Sequence, residues 1–365
     1  MMNSQVVQVG ARAVDVGYFN TKYTLGRKEA GQSVEIAVGM FPSLAPRLAS
    51  NVMMHSPGTS TADGTVVSIG GVRYFVGRGA VFNSTGMESR PVLPDYSMSD
   101  KYLALLRGAL NYMLVDAGNP SLLVIEHLVL GLPLNNYHKY DAALKKRALG
   151  THILSDASDT SPGRRVTIEN VTVMVQPQGA LIDYTLHASG SNGSDKRNDG
   201  WVLVMDPGGG TLDWFLTKGR QPNWQRSGAY PKAMLACATA VCDRINPDWK
   251  SQFEIVERVD QAIRNQAETF RVGSETYQMS EFRQSIDFVL DDSLRNMLDV
   301  VGPTDNLDRI LLTGGGATVY CSHIQRHYPK LAKLIHMEDN PVFANVRGFQ
   351  VVGESMMGQM LRKVA

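Results

Sequence analysis

Residues 206–214 read DPGGGTLDW, set between the apolar run WVLVM and the run FLTKG. A hairpin needs one or two residues that accept positive φ, and Asn-Gly would be enough. Three consecutive glycines between Asp206 and Asp213 exceed that need. Without Cβ atoms, the amides of Gly208, Gly209 and Gly210 can turn together towards an anion. The flanking carboxylates would repel a phosphate unless a cation lay between. The pattern therefore predicts a phosphate cradle with Mg2+ held by oxygen ligands and water.

A second segment repeats the layout. Residues 12–25, RAVDVGYFNTKYTL, read as strand, tight turn and strand, with Asp15 where the first strand runs out. Lys22 follows seven positions later, the offset that separates Asp206 from Asp213. Lys22 supplies the positive charge a polyphosphate needs, and Asp15 completes the cation's cage from the opposite side. Two matched hairpins indicate two related halves rather than a multi-repeat solenoid. A third turn, TGGGA (313–317), follows the strand-like DRILL and precedes a helix beginning near Val319. Its Gly314, Gly315 and Gly316 let a ribose or a flat ring approach the backbone, with a helix N-terminus nearby to favour phosphate. One nucleotide satisfies all three turns. The standard alternatives fail: no G-x-x-x-x-G-K-[ST] string occurs, and GRGAVF and GGGATV lack the last glycine of G-x-G-x-x-G.

The remaining pattern alternates strand and helix. Helices are predicted at 99–117, 135–149, 179–187, 231–244, 251–266 and 284–298, and strands at 72–77, 127–133 and 164–177, which argues for an α/β architecture. A length of 365 residues suits two domains. The polar stretches HSPGTSTADGT (55–65) and SGSNGSDKRNDG (189–200) read as a surface loop and a flexible connector. With no apolar run of the roughly 18–20 residues that span a bilayer, and no signal-peptide layout in MMNSQVVQVGARAV, a cytoplasmic protein without membrane contact is expected. A net charge of +1 offers no general attraction to DNA, so any DNA contact is expected to run through an intermediary. Cys237, Cys242 and Cys321 are odd in number and lack CxxC spacing, which fits reduced packing residues. His323 and His327 are spaced to share a helix face and a metal, yet no HExxH glutamate or third ligand is evident, and the metal reading is disfavoured.

These residues also carry a family resemblance. DPGGGTLDW resembles the second phosphate motif of the actin and heat-shock chaperone ATPase superfamily, DVGYFNTK (15–22) its first, and LLTGGGA (311–317) its adenosine motif. VQPQGALIDY (175–184) and NVRGFQVVGE (345–354) are similar to its two inter-domain connectors. FPSLAP, YFVGRGA, LGLPLNNY and FANVRGFQ look most like the plasmid-segregation actins of the ParM/StbA type. The resemblance implies a bilobed actin-like ATPase fold: two related α/β domains, each a mixed β-sheet flanked by helices, with a nucleotide cleft between them. Its lobes would span 1–185 and 186–345, with 346–365 returning to the first.

Carried onto this chain, the resemblance implies bound ATP or GTP with Mg2+. Asp15 and Asp206 would orient the metal's water shell, and Lys22 would contact phosphates. The amides of Gly17, Tyr18, Gly208, Gly209 and Gly210, together with Thr211, would wrap the β- and γ-phosphoryl groups, while Gly314, Gly315 and Gly316 would flank the adenosine. Gln176 would position the attacking water, since an amide cannot act as general base, and Asp213 would assist. The implied function is an ATPase that polymerises into filaments for plasmid segregation through a DNA-binding adaptor on a centromere-like site. A small-molecule kinase and a non-polymerising ATP-dependent scaffold are the alternatives.

Overall fold

The computed structural model describes residues 5–31, 33–48, 64–88, 92–154, 164–189, 200–219 and 221–364. Most of the polar stretches at 55–65 and 189–200 lies outside the described residues. The first half supplies β1 (Val6–Val16), β2 (Asn20–Ala30), β3 (Ser33–Pro42), β4 (Thr65–Ile69), β5 (Val72–Val76), α1 (Asp100–Asp116), β6 (Leu122–Leu132), α2 (Leu134–Ala148), β7 (Gly150–Ile153), β8 (Arg165–Ile168), β9 (Val171–Val175) and α3 (Gln176–Ser189). The second supplies β10 (Trp201–Pro207), β11 (Leu212–Lys218), β12 (Gln221–Pro222), β13 (Gly228–Tyr230), α4 (Met234–Ile245), α5 (Phe253–Arg264), β14 (Thr269–Val272), β15 (Glu275–Gln278), α6 (Arg283–Val301), β16 (Leu307–Leu312), α7 (Ala317–His327), α8 (Pro329–Ala332), β17 (Ile335–His336) and α9 (Ala344–Val364).

One sheet runs β3-β2-β1-β6-β8-β7, with β9 on β6 beyond β8; the other runs β12-β11-β10-β16-β17, with β13 beside β11. Both are mixed and built alike. An antiparallel hairpin, β1–β2 or β10–β11, is flanked by a parallel strand, β6 or β16, against its first member. The registers match as well: Asp15 lies opposite Lys22, and Asp206 opposite Asp213. The seven-residue offset is thus the signature of one turn built twice.

Two sequence expectations change. The strand read over 164–177 is two strands, broken at Glu169 and Asn170, where Asn170 Nδ2 donates to the Glu126 carbonyl. The helix expected from Gly179 begins at Gln176, because Pro177 sits in the first turn, where a missing N–H costs nothing.

Each sheet buries one face under its own helices. α1 is apolar nearly all round and sits between the first sheet and the β4–β5 hairpin, with Leu106, Leu110 and Leu114 fully buried; Ser99 caps it by accepting from the Tyr102 amide. On the second sheet, α4, α5, α6 and α7 close a core through Met234, Val259, Leu294 and Tyr320. The opposite faces are covered by a crossed exchange. α3 leaves the first sheet and lays Ala180 and Tyr184 on Val202, Val204 and Phe215 of the second. α9 leaves the second and lays Val346 and Phe349 on Ala13 and Val129 of the first. The two helices meet where Gly179 faces Gly348, so closely that a Cβ on Gly348 would overlap the Gly179 carbonyl. Arg347 of α9 clamps Asp183 of α3 beside this contact, Nε to Oδ2 at 2.9 Å and Nη2 to Oδ2 at 2.6 Å. Cys237, Cys242 and Cys321 are free thiols, the first two buried. Among the described residues no helix is long and apolar enough to cross a membrane.

Candidate functional site

The apolar strands β1 and β10 each end in a buried aspartate, and both open into one cleft lined by residues of the two halves. The turns close tightly: the Gly17 amide donates to the Asn20 carbonyl at 3.1 Å, and the Gly208 amide to the Thr211 carbonyl at 2.8 Å. The third glycine of the second turn has a specific reason. A Cβ on Gly209 would collide with the Phe19 ring, and one on Gly210 with the Tyr18 ring. The two turns pack ring against bare backbone, which only glycine permits. Tyr18 is itself fixed, stacked on Tyr96 at 4.8 Å with its hydroxyl donating to the Leu93 carbonyl.

Charge is concentrated where the turns meet. Lys22 Nζ lies 3.1 Å from Asp15 Oδ2, and its side chain is only 13% exposed. Burial alone would lower the lysine's pKa; Asp15 and Asp206 overcome this and hold it above its ordinary value. Gln176, the first residue of α3, donates from Nε2 to Asp15 Oδ1 at 2.6 Å. Asn345, at the start of α9, donates from Nδ2 to Asp206 Oδ2 at 2.6 Å. Burial raises the pKa of Asp206, with Lys22 and the Asn345 bond opposing it.

Asp213 lies opposite Asp206 and reaches across to the first half. Its Oδ1 accepts from the Leu134 amide at the start of α2 at 3.2 Å, and its Oδ2 from the Thr211 hydroxyl at 2.5 Å. Burial pushes its pKa up to about 7, against the Thr211 bond and with the charge of Asp206 adding to the rise. A carboxylate so tuned exchanges protons near neutral pH.

Of the sequence-derived residues, Asp15, Gly17, Tyr18, Lys22, Gln176, Asp206, Gly208, Gly209, Gly210, Thr211, Asp213 and Gly315 all line the cleft. Gly314 and Gly316 are not part of that lining. Gly314, at φ +77°, abuts the Asp206 carboxylate, and the Gly316 amide donates to the Pro207 carbonyl at 2.8 Å. Their role is to bring the third turn flush against β10. Sequence reasoning missed two residues. Asn345 was visible only as part of a connector. Arg264, at the end of α5, lines the cleft, abuts Gly315, ion-pairs with Asp260 at 2.6 Å and lies over the Phe19 ring at 5.3 Å.

Residues 13–179 match the family described as Actin like proteins N terminal domain. The chain is actin-like in fold. No curated protein sequence matches it. Solved actin-like structures that share its fold include the apo ParM protein of pSK41, 16% identical, covering 98% of this chain and 99% of that one with a TM-score of 0.64. A 15-stranded ParM filament from Clostridium botulinum is 18% identical, with coverage of 96% and 100% and a TM-score of 0.69. An archaeal actin homolog in complex with ADP is 17% identical, with coverage of 95% and 100% and a TM-score of 0.65.

The residues present fit a nucleotide with a hard cation. Oxygen donors Asp15 and Asp206 come from the two hairpins, Lys22 stands beside them, and the glycine turn leaves no room for a side chain. Nitrogen and sulfur ligands are lacking among the described residues of this cleft, which suits Mg2+ rather than a softer metal.

Proposed function

We propose that the cleft binds a purine nucleoside triphosphate with Mg2+ and hydrolyses it slowly, and that binding drives assembly into filaments. The reading rests on one observation above the rest: Asp15 and Asp206, from two hairpins of identical register, share a buried lysine where two glycine-lined turns meet. Bound Mg2+ would neutralise phosphate charge there. The amides of Gly209 and Gly210 hold phosphoryl oxygens while that of Gly208 closes the turn, and Lys22 and Arg264 supply positive charge. Gln176 orients a water through the same amide group that holds Asp15. Asp213 takes the proton, because burial has placed its pKa where a carboxylate can do so.

A ligand that touches both halves favours whichever arrangement brings them together, by its differential affinity for it. That supplies the coupling to assembly, and the ParM filament of the same fold supports polymerisation as its outcome. Plasmid DNA is the cargo this reading favours, reached through a DNA-binding adaptor, since a net charge of +1 gives the chain no general affinity for DNA.

Light scattering, sedimentation and phosphate release on the purified chain with ATP·Mg2+ or GTP·Mg2+ test the proposal. Nucleotide-dependent polymer and slow phosphate release are expected, with release falling at least about 100-fold in Asp206→Ala. Transfer of phosphate to a metabolite instead of water would identify a kinase. No polymer across a broad concentration range, with or without an adaptor, overturns the filament reading.

A further inference from the structure

The pair His323 and His327 acquires in the fold the third ligand that the sequence does not reveal. Both lie on α7, one turn apart, with ring centroids 4.5 Å from each other. Asp287 of α6 approaches from the neighbouring helix, its Oδ1 3.0 Å from His323 Nδ1. One ligand atom from each of the three lies within 4.8 Å of the others. Donor atoms on a tetrahedral ion with bonds of about 2.0–2.1 Å stand roughly 3.4 Å apart. The Asp287–His323 pair is already inside that spacing, so the remaining approach falls to the exposed His327.

The buried ring is already oriented. His323 has no solvent exposure, and its Nε2 lies 2.9 Å from Asp291 Oδ1, which also accepts from the Tyr328 hydroxyl at 3.1 Å. With the Nε2 proton engaged by Asp291, Nδ1 faces a second carboxylate. A metal ion between them would bind both groups. A metal-bound imidazole whose other nitrogen donates to a carboxylate is the usual supporting arrangement for such ligands. Among the described residues Arg326 competes for Asp287, its Nη2 3.3 Å from Oδ1, and its side chain is 43% exposed.

We propose that Asp287, His323 and His327 bind a divalent transition-metal ion of the zinc type, with Asp291 as positioning residue. Two imidazoles and a carboxylate favour Zn2+ over Mg2+ or Ca2+, which prefer all-oxygen sites. None of the three lines the nucleotide cleft, so this site is separate from the Mg2+ of the preceding proposal and stands or falls independently of it. A metal there would tie α6 to the C-terminal end of α7, the helix that begins beside the third glycine turn.

The test uses the full chain after chelator treatment. Co2+ is followed by its visible absorption and Zn2+ by calorimetry, for the wild type and for His327→Gln, Asp287→Asn and Asp291→Asn. The proposal expects one equivalent bound, a tetrahedral or five-coordinate Co2+ spectrum, and a melting temperature raised by Zn2+ most in the wild type and less in each variant. Loss of Asp291 should weaken binding by about 10–100-fold, and loss of either ligand by more. Because His327 is exposed, its replacement leaves the fold intact. Wild-type uptake no greater than that of His327→Gln overturns the site and leaves His323 a buried ring hydrogen-bonded between two aspartates.

Discussion

Replacing Asp213 by Asn should make the protein's stability less sensitive to pH, by an amount set by the burial of that carboxyl. Asn is nearly isosteric: its oxygen can accept from the Leu134 amide, and its amide can donate to the Thr211 hydroxyl. Asp213 titrates from an ordinary 3.8 when unfolded to about 7 when folded. A folded pKa above the unfolded one means that the native state binds the proton more tightly. The resulting stabilisation is complete below 3.8 and lost as pH rises through about 7. Two-state linkage puts it at about 2.7 kcal/mol at pH 5 and about 0.1 kcal/mol at pH 8. The wild type should therefore lose about 2.5 kcal/mol relative to Asp213→Asn between these two pH values. Urea unfolding of both proteins at pH 5 and pH 8 measures this. Any fixed cost of the substitution cancels in the comparison, as do titrating groups that do not interact with Asp213. An offset equal at both pH values would mean that Asp213 is ionised throughout, and the burial argument, with the general-base role built on it, would be wrong.

Three further outcomes are expected. Gly348→Ala should cost about 2–3 kcal/mol in urea unfolding, because its methyl group meets the Gly179 carbonyl, whereas Gly358→Ala, with open space around it, should gain about 0.5–1 kcal/mol. Arg347→Met should cost about 2–4 kcal/mol, since it removes the guanidinium from a carboxylate that is 3% exposed; a double cycle with Asp183→Asn checks that the loss belongs to the pair. Lys22→Met should reduce triphosphate affinity at least about 10-fold by calorimetry and also lower stability in urea, because it leaves Asp15 and Asp206 without their shared cation.

The two hairpins were legible because turn chemistry is local. An aspartate at a strand end, glycines, and a partner seven positions on leave little choice of register. Gln176 was legible because it sits beside Pro177 in a connector of recognisable form. Arg264 was not, because its position depends on how α5 packs, and a lone arginine at a helix end has no signature of its own. Asn345 had a faint one. Gln176 stands three residues before Gly179, and Asn345 three before Gly348, so each connector helix opens with an amide that holds an aspartate and presents a glycine one turn later. The third turn is legible as a turn, but the sequence does not say which of its three glycines lines the cleft and which packs on the neighbouring strand. Asp287 lies 36 positions before His323, too far for any spacing rule to join them.

The bare contact of Gly179 with Gly348 has a mechanical consequence. Where two rods touch through side chains, they slide by re-fitting knobs and hollows; where they touch backbone to backbone, sliding is blocked and swivelling is the soft direction. Gln176 and Asn345 stand one turn from that pivot, each gripping the carboxylate at the end of its own half's hairpin strand. A change of charge at Asp15 or Asp206 is therefore felt one helical turn from the point where the two helices touch.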